Sequence, residues 1–262
     1  VSKTNWEKAS DLIWQHWQAG TVMADLPPEL KPATRRDGYA IQFHLDGRSR
    51  HPLAGWKIAA TNIAGQAHIG VDGPLAGRIL PERVYETGAE ISITHNRMRV
   101  AEPEFCFRLS GDIPPRDTPY TVDEVLEHID TLHLALEFPD SRFHDFATVG
   151  GPMLIADNAC ANDIVIGPAV EVPWRQIDLA THKVIGEVKG RNHHEGSGSD
   201  VLGDPRIALT WLVNEITGLG HTLRAKEFVS TGTSTVPLPI TERDEITADF
   251  GVLGTISARI AP

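Results

Sequence analysis

The sequence predicts an α+β protein with a β-rich core and a small N-terminal helical lobe. Three features carry this expectation. Two capped, amphipathic segments stand first in the chain, strand-like alternation dominates the last two-thirds, and no internal repeat, low-complexity tract or long linker interrupts it.

Thr4-Asn-Trp-Glu7 has the pattern of a capping box, in which a hydroxyl and a carboxylate satisfy backbone N–H groups reciprocally. Trp6, Ala9, Ile13 and Trp17 follow at helical spacing, and Gly20 supplies a stop. Leu26-Pro-Pro-Glu-Leu-Lys-Pro32 reads as a rigid connector. A second helix is expected from Thr34 to about Asp46, with Tyr39, Phe43 and Leu45 available for packing. This lobe, residues 1–50, is too small to bury a core alone and is expected to pack on the β-rich residues 51–262 or on a partner subunit. His44, His51 and the Arg48/Arg50 pair read as surface-loop residues.

The chain has 262 residues, 41% of them apolar, and a net charge of −11 without long single-sign runs. That balance argues against nucleic acid or anionic membranes as partners. An anionic substrate then needs a local positive feature, such as a metal or a lysine. Cys106 and Cys160 are expected in or beside buried strands and make no disulfide framework, so a reducing cytosol is the expectation. No apolar run approaches a membrane span and no signal peptide is visible, while the start at Val1 suggests a lost initiator.

Arg99 to Leu109 reads as a strand. Alternation puts Val100, Glu102, Glu104, Cys106 and Arg108 on one face, and Ala101, Phe105, Phe107 and Leu109 on the other. The second face can pack on a core. The first carries two carboxylates side by side, which repel unless a proton or a cation lies between them. Pro103 cannot donate a ladder hydrogen bond and places this segment at an edge or a bulge. From Thr131 to Phe138, Leu132, Leu134 and Leu136 alternate with His133, Ala135 and Glu137. Were these strands neighbours, Glu102, Glu104 and Glu137 would converge, and three carboxylates with water suit Mg2+ or Mn2+. The same pattern also fits solvated glutamates on half-exposed strands.

The remaining chain offers further candidates. Gly55 to Ala60 reads as a strand, and its Lys57 is either a site lysine or, as spacing alone favours, a snorkelling surface residue. Gln66 to Arg78 is glycine-rich and reads as a loop whose backbone approaches something closely, without the Gly-Lys-Ser/Thr of a phosphate loop. Thr121-Val-Asp-Glu124 opens a short helix. Asp157 and Asn158 fit either site roles or cap and turn roles in a polar loop. His193-His194-Glu195 reads as solvated loop, continued by Gly196 to Asp200 as a segment able to move as a lid. Asp204-Pro205 starts a helix with Ile207, Ala208, Trp211 and Leu212 as its buried stripe. After a strand over 227–231, Gly232-Thr-Ser-Thr235 is a polar turn able to hold a carboxylate. Closing strands are expected over Ile246 to Ile260.

Several motifs together resemble a known family. Gly55-Trp-Lys57, Gly70-Val-Asp-Gly-Pro74, Glu102-Pro-Glu104, Leu136-Glu-Phe-Pro-Asp-Ser-Arg142, Asp157-Asn-Ala159 and Thr231-Gly-Thr233 occur in the same order in the 2-keto-4-pentenoate hydratases of the fumarylacetoacetate hydrolase superfamily. The resemblance covers nearly the whole chain. It implies a β-rich roll or barrel core, and a Mg2+ or Mn2+ ion held by Glu102, Glu104 and Glu137. It also implies a small-molecule 2-oxo acid or 2-hydroxydienoate substrate from aromatic ring cleavage. A cytoplasmic homo-oligomer is expected from the cysteine usage and from the helical lobe, which favours self-association. By their places in the motifs, Lys57 and Asp72 are the expected catalytic residues, with Asp72 as candidate base for water. Thr231, Gly232, Thr233 and Asp157 are the expected substrate contacts. For a hydratase, 2-hydroxypenta-2,4-dienoate ketonises, and water adds to the conjugated enone to give 4-hydroxy-2-oxopentanoate.

Two other activities share the metal motif. The 4-oxalocrotonate decarboxylases lose CO2 instead of adding water. Carbon–carbon hydrolases of the superfamily usually carry a His-Glu pair in an early loop, and His68 here has no obvious glutamate partner. A non-catalytic protein with a structural metal is the reading from another class.

Overall fold

The computed structural model describes residues 4–49 and 52–262. Arg50 and His51 lie outside the described residues. Helix α1 (Asn5–Ala19) opens on the Thr4/Glu7 capping box and closes on Gly20 at φ 62°. It buries Ala9, Ile13 and Trp17, while Trp6 is half-buried. Helix α2 (Arg35–Gln42) has its own capping box, Thr34 with Asp37, and runs on as a 3-10 turn over Phe43–Gly47. The two helices have no separate core. Ala9, Ile13, Leu30 and Ile41 pack with Phe143, Met153 and Ala156 from the middle of the chain. Arg48 is tied down rather than free at the surface: it pairs with Asp11 at 2.7 Å and lies over the Trp14 ring.

After the helices come β1 (Gly55–Ala59), α3 (Ile63–Ile69), β2 (Leu75–Ile79), β3 (Val84–Glu86), β4 (Glu90–Ile91) and β5 (Val100–Leu109). Next are α4 (Val122–Glu127), β6 (Ile129–Phe138), α5 (Gly151–Ala156), β7 (Asp163–Ala169), β8 (Lys183–Val188) and β9 (Asn192–Ser197). The chain closes with α6 (Pro205–Gly218), β10 (Phe228–Thr233), β11 (Leu238–Pro239), β12 (Glu245–Asp249) and β13 (Thr255–Ile260). The larger sheet has the order β2-β1-β10-β5-β6-β7-β3, with β11 on the start of β5; the smaller has the order β4-β13-β12-β8-β9.

The alternation read in the sequence sets the layers. Phe105, Phe107 and Leu109 of β5 and Leu132, Leu134 and Leu136 of β6 point into the main core. There they meet Val184, Val188, Ile246 and Ile256 from the smaller sheet, and Leu209, Leu212 and Val213 of α6. The opposite face of the larger sheet carries a second, smaller apolar group, Ile79, Cys106, Ala135, Ile164 and Ile166.

Four expectations change and one narrows. Of the two places expected for Pro103, an edge or a bulge, the structure gives the bulge: β5 is an interior strand, β10 shifts register beside it, and Pro103 accepts from the Ser234 N–H at 2.8 Å. The missing N–H therefore faces an irregularity. Gln66 to Arg78 is not one loop: Gln66 to Ile69 end α3, Gly70 caps it at φ 64°, and β2 starts at Leu75. His193-His194-Glu195 lies in strand β9, paired with β8, rather than in a loop. The following segment is packed and not a lid, because Gly196 sits against the Ser234 carbonyl and Gly198 against that of Leu179, with no room for a Cβ at either. In α6, Ile207 is exposed and Trp211 half-buried, and the buried stripe is Ala208, Leu209, Leu212, Val213 and Ile216.

Candidate metal centre

Glu102 stands directly opposite Glu137 in the β5–β6 ladder, and Glu104 stands opposite Ala135, one inward position along. One carboxylate oxygen from each of the three glutamates lies within 4.8 Å of the others. Glu104 and Glu137 are 0% and 2% exposed, whereas Glu102 is half-buried, so the cluster opens on the Glu102 side.

Lys57 joins the cluster from β1. Its Nζ lies 2.9 Å from Glu137 Oε1, and the lysine is 3% exposed. This excludes the snorkelling surface position. Glu104 is held from β10: its Oε2 accepts from Ser230 Oγ at 2.5 Å and from the Gly232 N–H at 2.9 Å. Three carboxylate oxygens, Glu104 Oε1 and both of Glu137, are buried without a hydrogen bond, and of these only Glu137 Oε1 has the Lys57 ammonium beside it. A buried acceptor left this way costs about 1–3 kcal/mol, more if charged. One lysine cannot neutralise three carboxylates.

The electrostatics carry the same mark. Burial, then the charge of Glu137, pushes the Glu102 carboxyl up to about 7, with Lys57 opposing. Burial, then Glu137 and Glu102, holds the Glu104 carboxyl well above its ordinary range. Burial outweighs Lys57 at Glu137 and raises it too. Burial disfavours the Lys57 charge, but Glu137, Cys160 and Glu102 outweigh it and keep the ammonium protonated. A hard divalent cation answers all of these costs at once, since it takes up the orphaned oxygens and favours the ionised carboxylates. The donor set therefore fits such an ion.

The other expected site residues fall in three places. Asp72 is exposed on the turn between α3 and β2, outside the buried cluster. Asp157 is 0% exposed and already committed: its oxygens take Ser141 Oγ at 2.6 Å, the Arg142 N–H at 2.9 Å and Arg142 Nε at 2.5 Å. It has no free oxygen for a substrate, so its expected contact is replaced by a structural ion pair. Thr231 turns away from the glutamates and donates to the Phe105 carbonyl at 2.9 Å. The turn does hold a carboxylate, as its residue types suggest, but it is that of Glu104. Thr233 pairs opposite Glu104 in the ladder, and its hydroxyl donates to the Thr235 carbonyl. His68 meets the edge of the Phe146 ring.

Two residues escaped the sequence reading. Ser230 gave no separate signal, because it opens a polar run, Ser230-Thr-Gly-Thr233, that follows Phe228 and Val229. Thr61 packs against Gly232, whose φ is 103°, so that a Cβ at Gly232 would collide with the threonine side chain. Asn158 takes its turn role in full. Asn158, Ala159 and Cys160 are all left-handed, at φ 57°, 49° and 60°. The Asn158 amide donates to the Arg78 carbonyl at 2.9 Å and accepts from the Arg78 N–H at 2.6 Å, completing the edge of β2 beside Lys57.

Comparison with known proteins agrees with this architecture. The chain is 29% identical over 230 residues to a 2-keto-4-pentenoate hydratase of Paraburkholderia xenovorans, covering 86% of this chain and 84% of the relative. The chain is a homologue of the 2-keto-4-pentenoate hydratases. A 4-oxalocrotonate decarboxylase from a Pseudomonas species is 28% identical over 205 residues, covering 78% of this homologue and 77% of the decarboxylase. The solved 4-oxalocrotonate decarboxylase of Pseudomonas putida G7, complexed with magnesium and adipate, superposes with a TM-score of 0.88 at 22% identity over 99% of this chain and 98% of that one. The homologue thus has the fold of the fumarylacetoacetate hydrolase superfamily. No family model matches the chain.

Proposed function

We propose that this homologue is a divalent-metal-dependent hydratase acting on a 2-hydroxy-2,4-dienoate, in the cytoplasm and as a homo-oligomer. The observation that carries the reading is the convergence of Glu102, Glu104 and Glu137 with Lys57 on one face, open at Glu102. Mg2+ or Mn2+ is the proposed ion. Bound by the three glutamates, it supplies Lewis acidity toward the carboxylate and 2-oxygen of a 2-oxo acid.

This chain's residues would act around that chemistry. Ser230 and Gly232 orient Glu104. Lys57, kept charged by Glu137, is the proposed group to hold a proton at the substrate's 2-oxygen. Loss of that oxygen's proton and gain of one at C5 converts 2-hydroxypenta-2,4-dienoate to 2-oxopent-3-enoate. Water then adds its hydroxyl at C4 and a proton at C3, giving 4-hydroxy-2-oxopentanoate. Asp72 is the proposed base for that water. Thr233, on the Glu104 face, is the proposed contact for the substrate carboxylate.

The test is turnover of 2-hydroxypenta-2,4-dienoate after chelation and re-addition of Mg2+ or Mn2+. Loss of the dienoate ultraviolet band with a product one water heavier supports the hydratase. Release of CO2 from 2-oxohex-3-enedioate, with no hydration of the dienoate, assigns the decarboxylase activity of the other relatives instead. No turnover of any 2-oxo acid or dienoate, with Glu102→Gln lowering only the melting temperature, leaves a structural metal.

A further inference from the structure

Glu104 presents its two oxygens unequally. Oε2 is taken by two donors, the Ser230 hydroxyl at 2.5 Å and the Gly232 N–H at 2.9 Å, whereas Oε1 is buried with no donor at all. Both donors are fixed. Ser230 is 0% exposed and sits opposite Cys106 in the ladder. Gly232 adopts φ 103° with Thr61 packed against it, so its N–H direction is set by the bulge of β10. A serine hydroxyl has a single proton to give, and here it goes to Glu104.

We propose that Ser230 and Gly232 act as a clamp that makes Glu104 a single-oxygen ligand and thereby biases the centre toward Mg2+ or Mn2+ over Ca2+. This rests on the reading of the three glutamates as a metal centre. Mg2+ takes six oxygens at about 2.0–2.1 Å and accepts carboxylates through one oxygen each, whereas Ca2+ takes six to eight at about 2.3–2.6 Å and commonly takes a carboxylate through both. A glutamate whose second oxygen is already hydrogen-bonded twice cannot swing to offer both without losing those bonds. Ser230 would act through Glu104, whose Oε2 it hydrogen-bonds. It is a positioning residue, and partners of this kind are worth about 10- to 100-fold in metal affinity.

The test is calorimetric titration of the chelator-stripped full chain with Mg2+, Mn2+ and Ca2+, for the wild type, Ser230→Ala and the hydroxyl-retaining Ser230→Thr. Ser230→Ala is expected to bind Mg2+ about 10- to 100-fold more weakly, to lose much less Ca2+ affinity, and so to shift the Ca2+/Mg2+ preference by about tenfold or more. Ser230→Thr is expected to return the preference toward that of the wild type. A purely structural serine would weaken both ions alike, and an unchanged preference in a folded Ser230→Ala protein overturns the proposal. An infrared difference spectrum of the wild type, with and without Mg2+, gives a reading that needs no variant. Widely split carboxylate bands of single-oxygen coordination support the clamp, and bands of two-oxygen coordination alone refute it. A wild type that binds none of the three ions removes the metal reading itself, which is distinct from a metal centre whose preference ignores Ser230.

Discussion

Lys57 Nζ and Glu137 Oε1 lie 2.9 Å apart although their strands, β1 and β6, are separated in the sheet by β10 and β5. On a flat sheet three strand spacings amount to about 14 Å. The long lysine and glutamate side chains meet over the strands between them, beside Glu102 and Glu104.

Removing the lysine leaves Glu137 buried beside two other carboxylates. Lys57→Ala is expected to destabilise the metal-free protein by about 3 kcal/mol in denaturant unfolding, the usual scale for breaking a buried pair from one side. Mg2+ is expected to restore part of that stability but not the turnover. Full dienoate turnover by Lys57→Ala would contradict the assignment of Lys57 as the proton-holding group.

The glutamates also set a pH dependence. Glu102, pushed by burial and Glu137 to about 7 from 4.5, binds its proton more tightly in the folded than in the unfolded chain. The metal-free protein should then lose stability as pH rises from about 4.5 to about 7, and go on losing it above 7 because the Glu104 carboxyl, held well above its ordinary range, still has its proton to give up. Depressed carboxyls act elsewhere: Glu124, drawn down to about 2 by Arg116, contributes stability that is lost only below this interval. Thermal midpoints measured after chelation should fall by several degrees across the interval, and saturating Mg2+ should flatten or reverse the fall. A midpoint that rises across it without metal would be incompatible with the raised carboxyl.

Asp72 and Asp157 separate catalysis from architecture. Asp72 is exposed and Asp157 is wholly buried against Arg142. Asp72→Asn is expected to lower kcat by about 10²- to 10⁴-fold, the usual weight of a general base, with the Mg2+ affinity and melting temperature unchanged. Wild-type kcat in that variant removes Asp72 from the mechanism.

Asp157→Asn leaves the Arg142 guanidinium buried without its counter-charge. The expected loss is about 3–5 kcal/mol of stability, read by denaturant unfolding, while KM in the protein that remains folded changes little. A variant of normal stability and a strongly raised KM would put Asp157 back at the substrate.

The helices and strands were legible wherever a local rule decided them. The Thr4, Thr34 and Thr121 caps and the alternation of β5 and β6 need only neighbouring residues. Local rules failed where a distant segment supplied the partner. Pro103 left edge and bulge open, because its missing N–H does not say which strand meets it. His193 to Glu195 looked like loop because a polar edge strand lacks the apolar period that marks a half-buried one. Asp157 looked available because nothing nearby in sequence shows that Arg142 folds back onto both its oxygens.

By itself the sequence determined which side chains share a face: an apolar stripe behind, and Glu102, Glu104 and Glu137 in front. It also carried the ordered motifs that link the chain to its hydratase relatives. Only the tertiary structure decided that β5 and β6 are direct neighbours, that Lys57 reaches across two intervening strands, and that Ser230 and Gly232 occupy one oxygen of Glu104. The reason is physical. Facing is fixed by the two-residue repeat of a strand, whereas neighbourhood is fixed by long-range pairing and packing, which no stretch of chain encodes alone.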